Sequence, residues 1–267
     1  MFIGRSTLPF TVGYAQSDLQ VGATLVAPQF LNIGTDGMPL ESIVPTGDNV
    51  ADNVSIQTCD AFGYTVDNYN WNDWVAENPC WVDDDYNVVT GVTFAPGQGL
   101  WVFGSATTQG IQTAGKVGTS DVAVRLQVGA TATGNPFPAS VALQDIVPIG
   151  DDVADNVSIQ TCDAFGYTVD NYNWNDWVAE NPCWVDDDYN VVTGVTFAPG
   201  QGLWVFGSSE SQYIRFLLLN SKTTLCAWDR LTCVIQRKNE NEETTHSGGG
   251  NCRRCCSKRS IVQMDGC

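Results

Sequence analysis

Residues 48–105 of this chain recur as residues 151–208 at an offset of 103, and only Asn49/Asp152 differs among the 58 aligned positions. A repeat of this length is one whole small domain, longer than the roughly 20–50-residue unit of a solenoid. Both copies are therefore expected to adopt the same fold, because identical local sequence imposes the same strand and turn choices. The likeness reaches further at both ends. Leu19-Gln20-Val21-Gly22-Ala23-Thr24 returns as Leu126-Gln127-Val128-Gly129-Ala130-Thr131, and Gln109-Gly110-Ile111 is matched by Gln212-Tyr213-Ile214. The expected organisation is an N-terminal segment 1–18, a unit 19–118, a linker 119–125, a unit 126–216 and a tail 217–267. Each unit is long enough to enclose its own core.

Inside a unit the signals are those of strands. Residues 54–58 (VSIQT) alternate apolar and polar with period two, as a half-buried strand does. Ala61-Phe62-Gly63 then reads as a turn, with residues 64–71 as the return strand of a hairpin. Residues 88–94 are apolar and β-branched. Pro96-Gly97-Gln98-Gly99 is a turn in which Pro presets φ and Gly accepts a positive one. Leu100-Trp101-Val102-Phe103 is apolar on both faces and fits a central strand covered on both sides. No stretch carries capped helical periodicity. The predicted fold is all-β: two near-identical small β-sandwich or open-barrel domains in tandem, each of six or seven short strands.

Charge excludes some partners. Residues 1–216 hold 25 Asp and Glu against Arg5, Lys116, Arg125 and Arg215, a net of −21. Residues 217–267 hold five acids and eight bases, a net of +3, and together these give −18. A body at −21 repels phosphate backbones, which need cationic side chains to displace counterions. Nucleic acid and an anionic membrane surface are therefore poor partners. No apolar run is long enough for a transmembrane helix, so no membrane insertion is expected. Met1-Phe2-Ile3-Gly4-Arg5 has one base but no continuous apolar stretch, so no signal peptide is read there. The expectation is a fragment whose true start lies upstream.

Gly22-Ala23-Thr24-Leu25, a hairpin ending in Tyr69-Asn70-Trp71, and Phe94-Ala95-Pro96-Gly97-Gln98-Gly99-Leu100-Trp101-Val102 resemble a family of uncharacterised bacterial β modules. Those modules occur in tandem in proteins expected to be extracellular, with a late Pro-Gly-x-Gly-aromatic-Trp strand. The resemblance covers both units and implies a secreted or surface-displayed, acidic repeat protein. It carries no activity or site residues with it.

Aromatic residues are dense. Tyr69, Trp71, Trp74 and Trp81, with their copies Tyr172, Trp174, Trp177 and Trp184, admit two readings. They form a carbohydrate platform, with nearby Asp and Asn bonding sugar hydroxyls, or they form the core of a small β domain. Trp74 and Trp81 are expected to be the more exposed. Asp83, Asp85 and Asn87, repeated as Asp186, Asp188 and Asn190, have the first spacings of a calcium loop. The sixth position is Val88 rather than Gly, and the twelfth is Phe94 rather than Glu, so the EF-hand pattern fails. A looser calcium site or a solvated acidic turn remains. Cys59/Cys80 and Cys162/Cys183 allow one disulfide per unit in an oxidising compartment, or two buried thiols.

Catalysis finds little support. The one histidine, His246, lies outside both units, and neither repeat core has Lys, Arg or His. Ser-His and Cys-His pairs, Schiff bases and Arg phosphate clamps are thereby removed. Carboxylates are plentiful, but nothing singles out two for glycoside hydrolysis.

The tail carries Cys226, Cys233, Cys252, Cys255, Cys256 and Cys267. Cys252 and Cys255 with His246 and Cys233 have the close spacing of a zinc knuckle. An out-of-frame product is the other reading. Residues 216–222 (FLLLNSK) can be encoded so that one added cytosine after the Phe216 codon gives Phe-Pro-Ala-Pro-Glu-Phe and a stop. Repeat homology, charge and cysteine content all change at that point, and the polar, Gly-rich stretch that follows is expected to be disordered. The function expected of the whole is a non-enzymatic extracellular structural or adhesive spacer. The alternative is a carbohydrate-binding module, and the partner accordingly a glycan or another surface protein.

Overall fold

The computed structural model describes residues 2–4, 11–32 and 37–218. The expectations for residues 219–267, including disorder, the zinc set and the frame change, lie outside the described residues. The chain is nearly all β, with 50% strand and 3% helix. The first copy contains β1 (Phe2–Gly4), β2 (Val12–Asp18), β3 (Gly22–Val26), β4 (Phe30–Leu31), β5 (Met38–Pro39), β6 (Ile43–Thr46) and β7 (Ser55–Cys59). It continues through β8 (Thr65–Asn72), β9 (Cys80–Val82), β10 (Thr93–Phe94), β11 (Leu100–Gly104) and β12 (Gly110–Val117). The second copy contains β13 (Val122–Arg125), β14 (Gly129–Gly134), β15 (Val141–Ala142), β16 (Ile146–Ile149) and β17 (Ser158–Cys162). Its last elements are β18 (Thr168–Asn175), β19 (Cys183–Val185), β20 (Thr196–Phe197), β21 (Gly202–Gly207) and β22 (Tyr213–Phe216).

Each copy builds one five-stranded sheet, in the order β3-β11-β7-β8-β9 or β14-β21-β17-β18-β19. A second sheet per copy brings β2 and β6 to either side of β12, or β13 and β16 to either side of β22. Residues 12–18 and 122–125, expected to lie outside the units, thus supply strands to their second sheets. These small sheets are arranged like the blades of a four-bladed propeller, not as two clearly separate tandem domains.

The predicted hairpin forms as β7 and β8, with a register shift between Thr58 and Cys59. The Pro-Gly turn also forms: Gln98 N–H donates to Ala95 C=O at 3.0 Å, and Gly97 takes φ +78°. Such a φ is readily adopted only by glycine. The single difference between the repeat cores falls at another left-handed position, with φ 52° at Asn49 and 49° at Asp152. Asn and Asp are the side chains that best tolerate that conformation, so the change leaves the turn intact.

Each copy has its own core. In the first, Leu40, Ile43, Ile56, Tyr69, Trp71, Trp81, Phe94 and Val102 pack together; in the second, Leu143, Ile146, Ile159, Tyr172, Trp184, Phe197 and Val205 do so. Burying each such side chain contributes about 1.5–3 kcal/mol. A polar knot closes each copy. The buried Gln109 donates from Nε2 to Asp48 and Asn49 C=O at 3.1 Å and accepts at Oε1 from Ser105 N–H at 2.7 Å. Gln212 repeats these bonds.

Candidate functional site

The aromatic side chains divide into two sets. Tyr69, Trp71 and Trp81 face the core, as do Tyr172 and Trp184, while Trp174 is half-buried against it. Trp81, expected among the exposed indoles, is only 1% accessible. Its indole N–H donates to Ile43 C=O at 2.9 Å, and its ring meets Trp71 edge-on at 5.1 Å. Trp184 does the same with Ile146 C=O and Trp174. The alternation of β8 does put Tyr69 and Trp71 on one face, but that face is the core.

Trp74 is the exception, 62% exposed, and it stands 5.2 Å from Tyr86, which is 53% exposed. Two turns hold the pair outward. The buried Asn72 accepts at Oδ1 from Trp74 and Val75 N–H at 3.0 and 2.9 Å and is anchored by its Nδ2 to Asp52. Tyr86 takes φ +62°, the left-handed region, which for a bulky residue requires support from its surroundings. That support is the Asp83 turn, where Oδ1 accepts from Asp85 N–H at 3.0 Å and Asn87 N–H at 2.8 Å. Asn87 Nδ2 also donates to both carboxylate oxygens. The second copy reproduces the arrangement with Trp177, Tyr189, Asn175 and Asp186. Sequence reasoning missed Asn72 and did not single out Tyr86. The signal available was an Asx residue two positions before an indole.

The calcium spacing is therefore that of turn closure. Both oxygens of Asp83 already accept hydrogen bonds, chiefly from Asn87, and these hold its carboxyl below the ordinary carboxylate range, as Asn190 does for Asp186. Asp84 accepts from Asn68 Nδ2 at 2.6 Å and Asn70 Nδ2 at 3.3 Å. Among the described residues no three His, Cys, Asp or Glu side chains form a metal-ligating group.

The disulfide reading is corrected by topology. Cys59 pairs with Thr65 at the start of β8, and Cys80 pairs with Asn72 at its end. The two cysteines thus flank β8 on opposite sides, roughly 10 Å apart across the sheet and roughly 23 Å along it. A disulfide needs Cα atoms within about 7 Å. All four are free thiols, and the second copy follows the same register. Burial, with Asp60 or Asp163 alongside, pushes the Cys59 and Cys162 thiols up, and burial alone does so for Cys183.

Two further surfaces went unread in the sequence. The tip of the β7–β8 hairpin exposes Phe62 and Tyr64, mirrored by Phe165 and Tyr167. A cleft of about 320 Å³ lies between the copies, lined by Pro28, Gln29, Phe30, Pro96, Asp121 and Phe137 among others. Its one carboxylate, Asp121, is engaged by Arg215 at 2.7 Å and Leu218 N–H at 2.8 Å. No helix among the described residues is long and apolar enough to cross a membrane. No family model, curated protein or solved structure matches this chain.

Proposed function

We propose that this protein is a non-enzymatic tandem β-module protein of the cell exterior, a structural or adhesive spacer whose contact points are the two Trp–Tyr pairs. The carrying observation is the partition of the aromatics. Tyr69, Trp71 and Trp81 with their copies Tyr172, Trp174 and Trp184 pack into two cores, and one Trp–Tyr pair per copy is held out on braced turns. A ring pair fixed in place loses little side-chain entropy on contact, which suits an anchor for another surface. The likeness of the late Pro-Gly-x-Gly-Leu-Trp strand to extracellular bacterial modules agrees with that placement, and each copy is read as one such module.

The second reading is carbohydrate binding, favoured by Trp74 and Tyr86 lying beside a turn rich in Asp and Asn. The rings are tilted by 44° rather than coplanar, so they offer a cradle and not a flat platform. A glycan array probed with wild type and with the Trp74→Ala/Trp177→Ala double variant separates the readings. No wild-type signal is expected of the spacer. A signal abolished in a double variant with unchanged circular dichroism would overturn it in favour of sugar binding.

A further inference from the structure

The two copies meet through contacts that come in mirrored pairs. Ala23 N–H donates to Ala164 C=O, and its counterpart Ala130 N–H donates to Ala61 C=O, both at 3.1 Å. Ala27 N–H donates to Gly200 C=O at 2.9 Å, and Gly134 N–H to Gly97 C=O at 3.2 Å. Val26 bridges Gln201 as Thr133 bridges Gln98. Trp101 and Trp204, the same residue in the two copies, face each other with centroids 6.4 Å apart. Reciprocal contacts of this kind define an isologous interface about a pseudo-two-fold axis, the arrangement of a symmetric homodimer. The copies share no core, since each apolar cluster is closed within its own copy. Their covalent connection runs through residues 118–121. Asp121 is tied to the second copy, and a side chain placed at Gly118 would meet nothing within 4 Å.

We infer that the partner this interface fits is a second copy of the chain: the molecule exchanges repeats, so that copy one of one chain docks on copy two of another. Every inter-copy contact is the same in the closed and exchanged forms; only the path of residues 118–120 differs. The unlike strands set the pairing. Leu25 and Val26 of β3 correspond to Ala132 and Thr133 of β14, and docking copy one on copy two is what brings these two unlike strands into contact. The balance then rests on protein concentration against the effective concentration imposed by a short linker. With the latter on the order of 1 mM, roughly half the chains exchange at about 1 mM and roughly 2% at about 10 µM. Exchange closes a dimer or extends into an open chain of chains, which would lengthen a spacer.

The test uses the full chain carrying a site-specific protease sequence between Gly118 and Thr119, kept reduced throughout. It is refolded at about 1 mM and at about 10 µM, then diluted and sized by light scattering before and after cleavage. The expected result is a discrete dimer from the concentrated sample alone, persisting on dilution and falling to monomer size once the hinge is cut. An ordinary surface dimer would survive the cut. Survival of the cut, monomer only at both concentrations, or larger species that do not fall to monomer size on cleavage would each overturn the proposal.

Discussion

Trp81 and Trp74 stand seven residues apart in one sequence run, yet the structure gives them opposite roles, and replacing each by alanine separates those roles sharply. Trp81→Ala removes a fully buried indole and opens a cavity, at a cost of about 3–5 kcal/mol. Two terms contribute within that figure. Ile43 C=O loses the indole N–H that it accepts from at 2.9 Å, and a buried carbonyl left alone costs about 1–3 kcal/mol. Trp71 loses an edge-on ring contact worth about 0.5–1.5 kcal/mol. Trp74→Ala removes a ring already in water, so the expected cost stays within about 0.5 kcal/mol. Urea unfolding followed by far-ultraviolet circular dichroism measures both. With a slope near 2 kcal/mol/M, Trp81→Ala lowers the midpoint of the affected copy by about 2 M. The second copy keeps Trp184 and its own core, so Trp81→Ala should split the curve into two transitions. Equal midpoints for the two variants, or a Trp81→Ala curve within about 0.3 M of wild type, would refute the assignment of these indoles.

Mass mapping of unreduced, denatured protein after alkylation should find Cys59, Cys80, Cys162 and Cys183 all modified; any Cys59–Cys80 bridge would contradict the strand order. In the folded protein Cys59 and Cys162 should alkylate slowly at neutral pH, because burial raises both thiols and keeps them protonated. Asp83 and Asp186 have carboxyls held low in the folded state, so their stabilising contribution is present above the unfolded value and is lost as pH falls through the lower folded one. Stability should therefore decline below about pH 4, and Asp83→Asn with Asp186→Asn should flatten part of that decline in acid titrations followed by circular dichroism. Because Asn87 and two backbone N–H groups already occupy Asp83, millimolar calcium should leave the melting temperature unchanged; a rise of several degrees would restore a calcium site.

The strand framework was readable where side chains carry the signal. Residues 54–58 alternate cleanly, Gly63 takes the positive φ of the hairpin turn, and Pro96-Gly97 specifies its turn by backbone chemistry alone. The run 100–103 also read correctly as a central strand, since β11 lies between β3 and β7. Its second apolar face has a cause that no local pattern states: Trp101 meets the other copy. Docking between the copies left no trace because backbone groups of Ala23, Ala61 and Gly97 make it. Asp83, Asp85 and Asn87 were ambiguous for a different reason. The spacing that wraps a cation is also the spacing with which an aspartate closes a turn on its own backbone, and only the donors around Asp83 decide. Trp81 and Trp74 are the same residue type in the same polar run. What divides them is a carbonyl 38 positions away in sequence, at Ile43.

The account rests on two copies docked face to face about Trp101 and Trp204 rather than strung apart, and a double-mutant cycle on that pair tests it most directly. Wild type, Trp101→Ala, Trp204→Ala and the double variant are compared by urea unfolding at low protein concentration. Rings 6.4 Å apart across the axis should couple by about 0.5–1.5 kcal/mol, although the residues are 103 positions apart in the chain. Additive effects, with a coupling indistinguishable from zero, would contradict the docked arrangement.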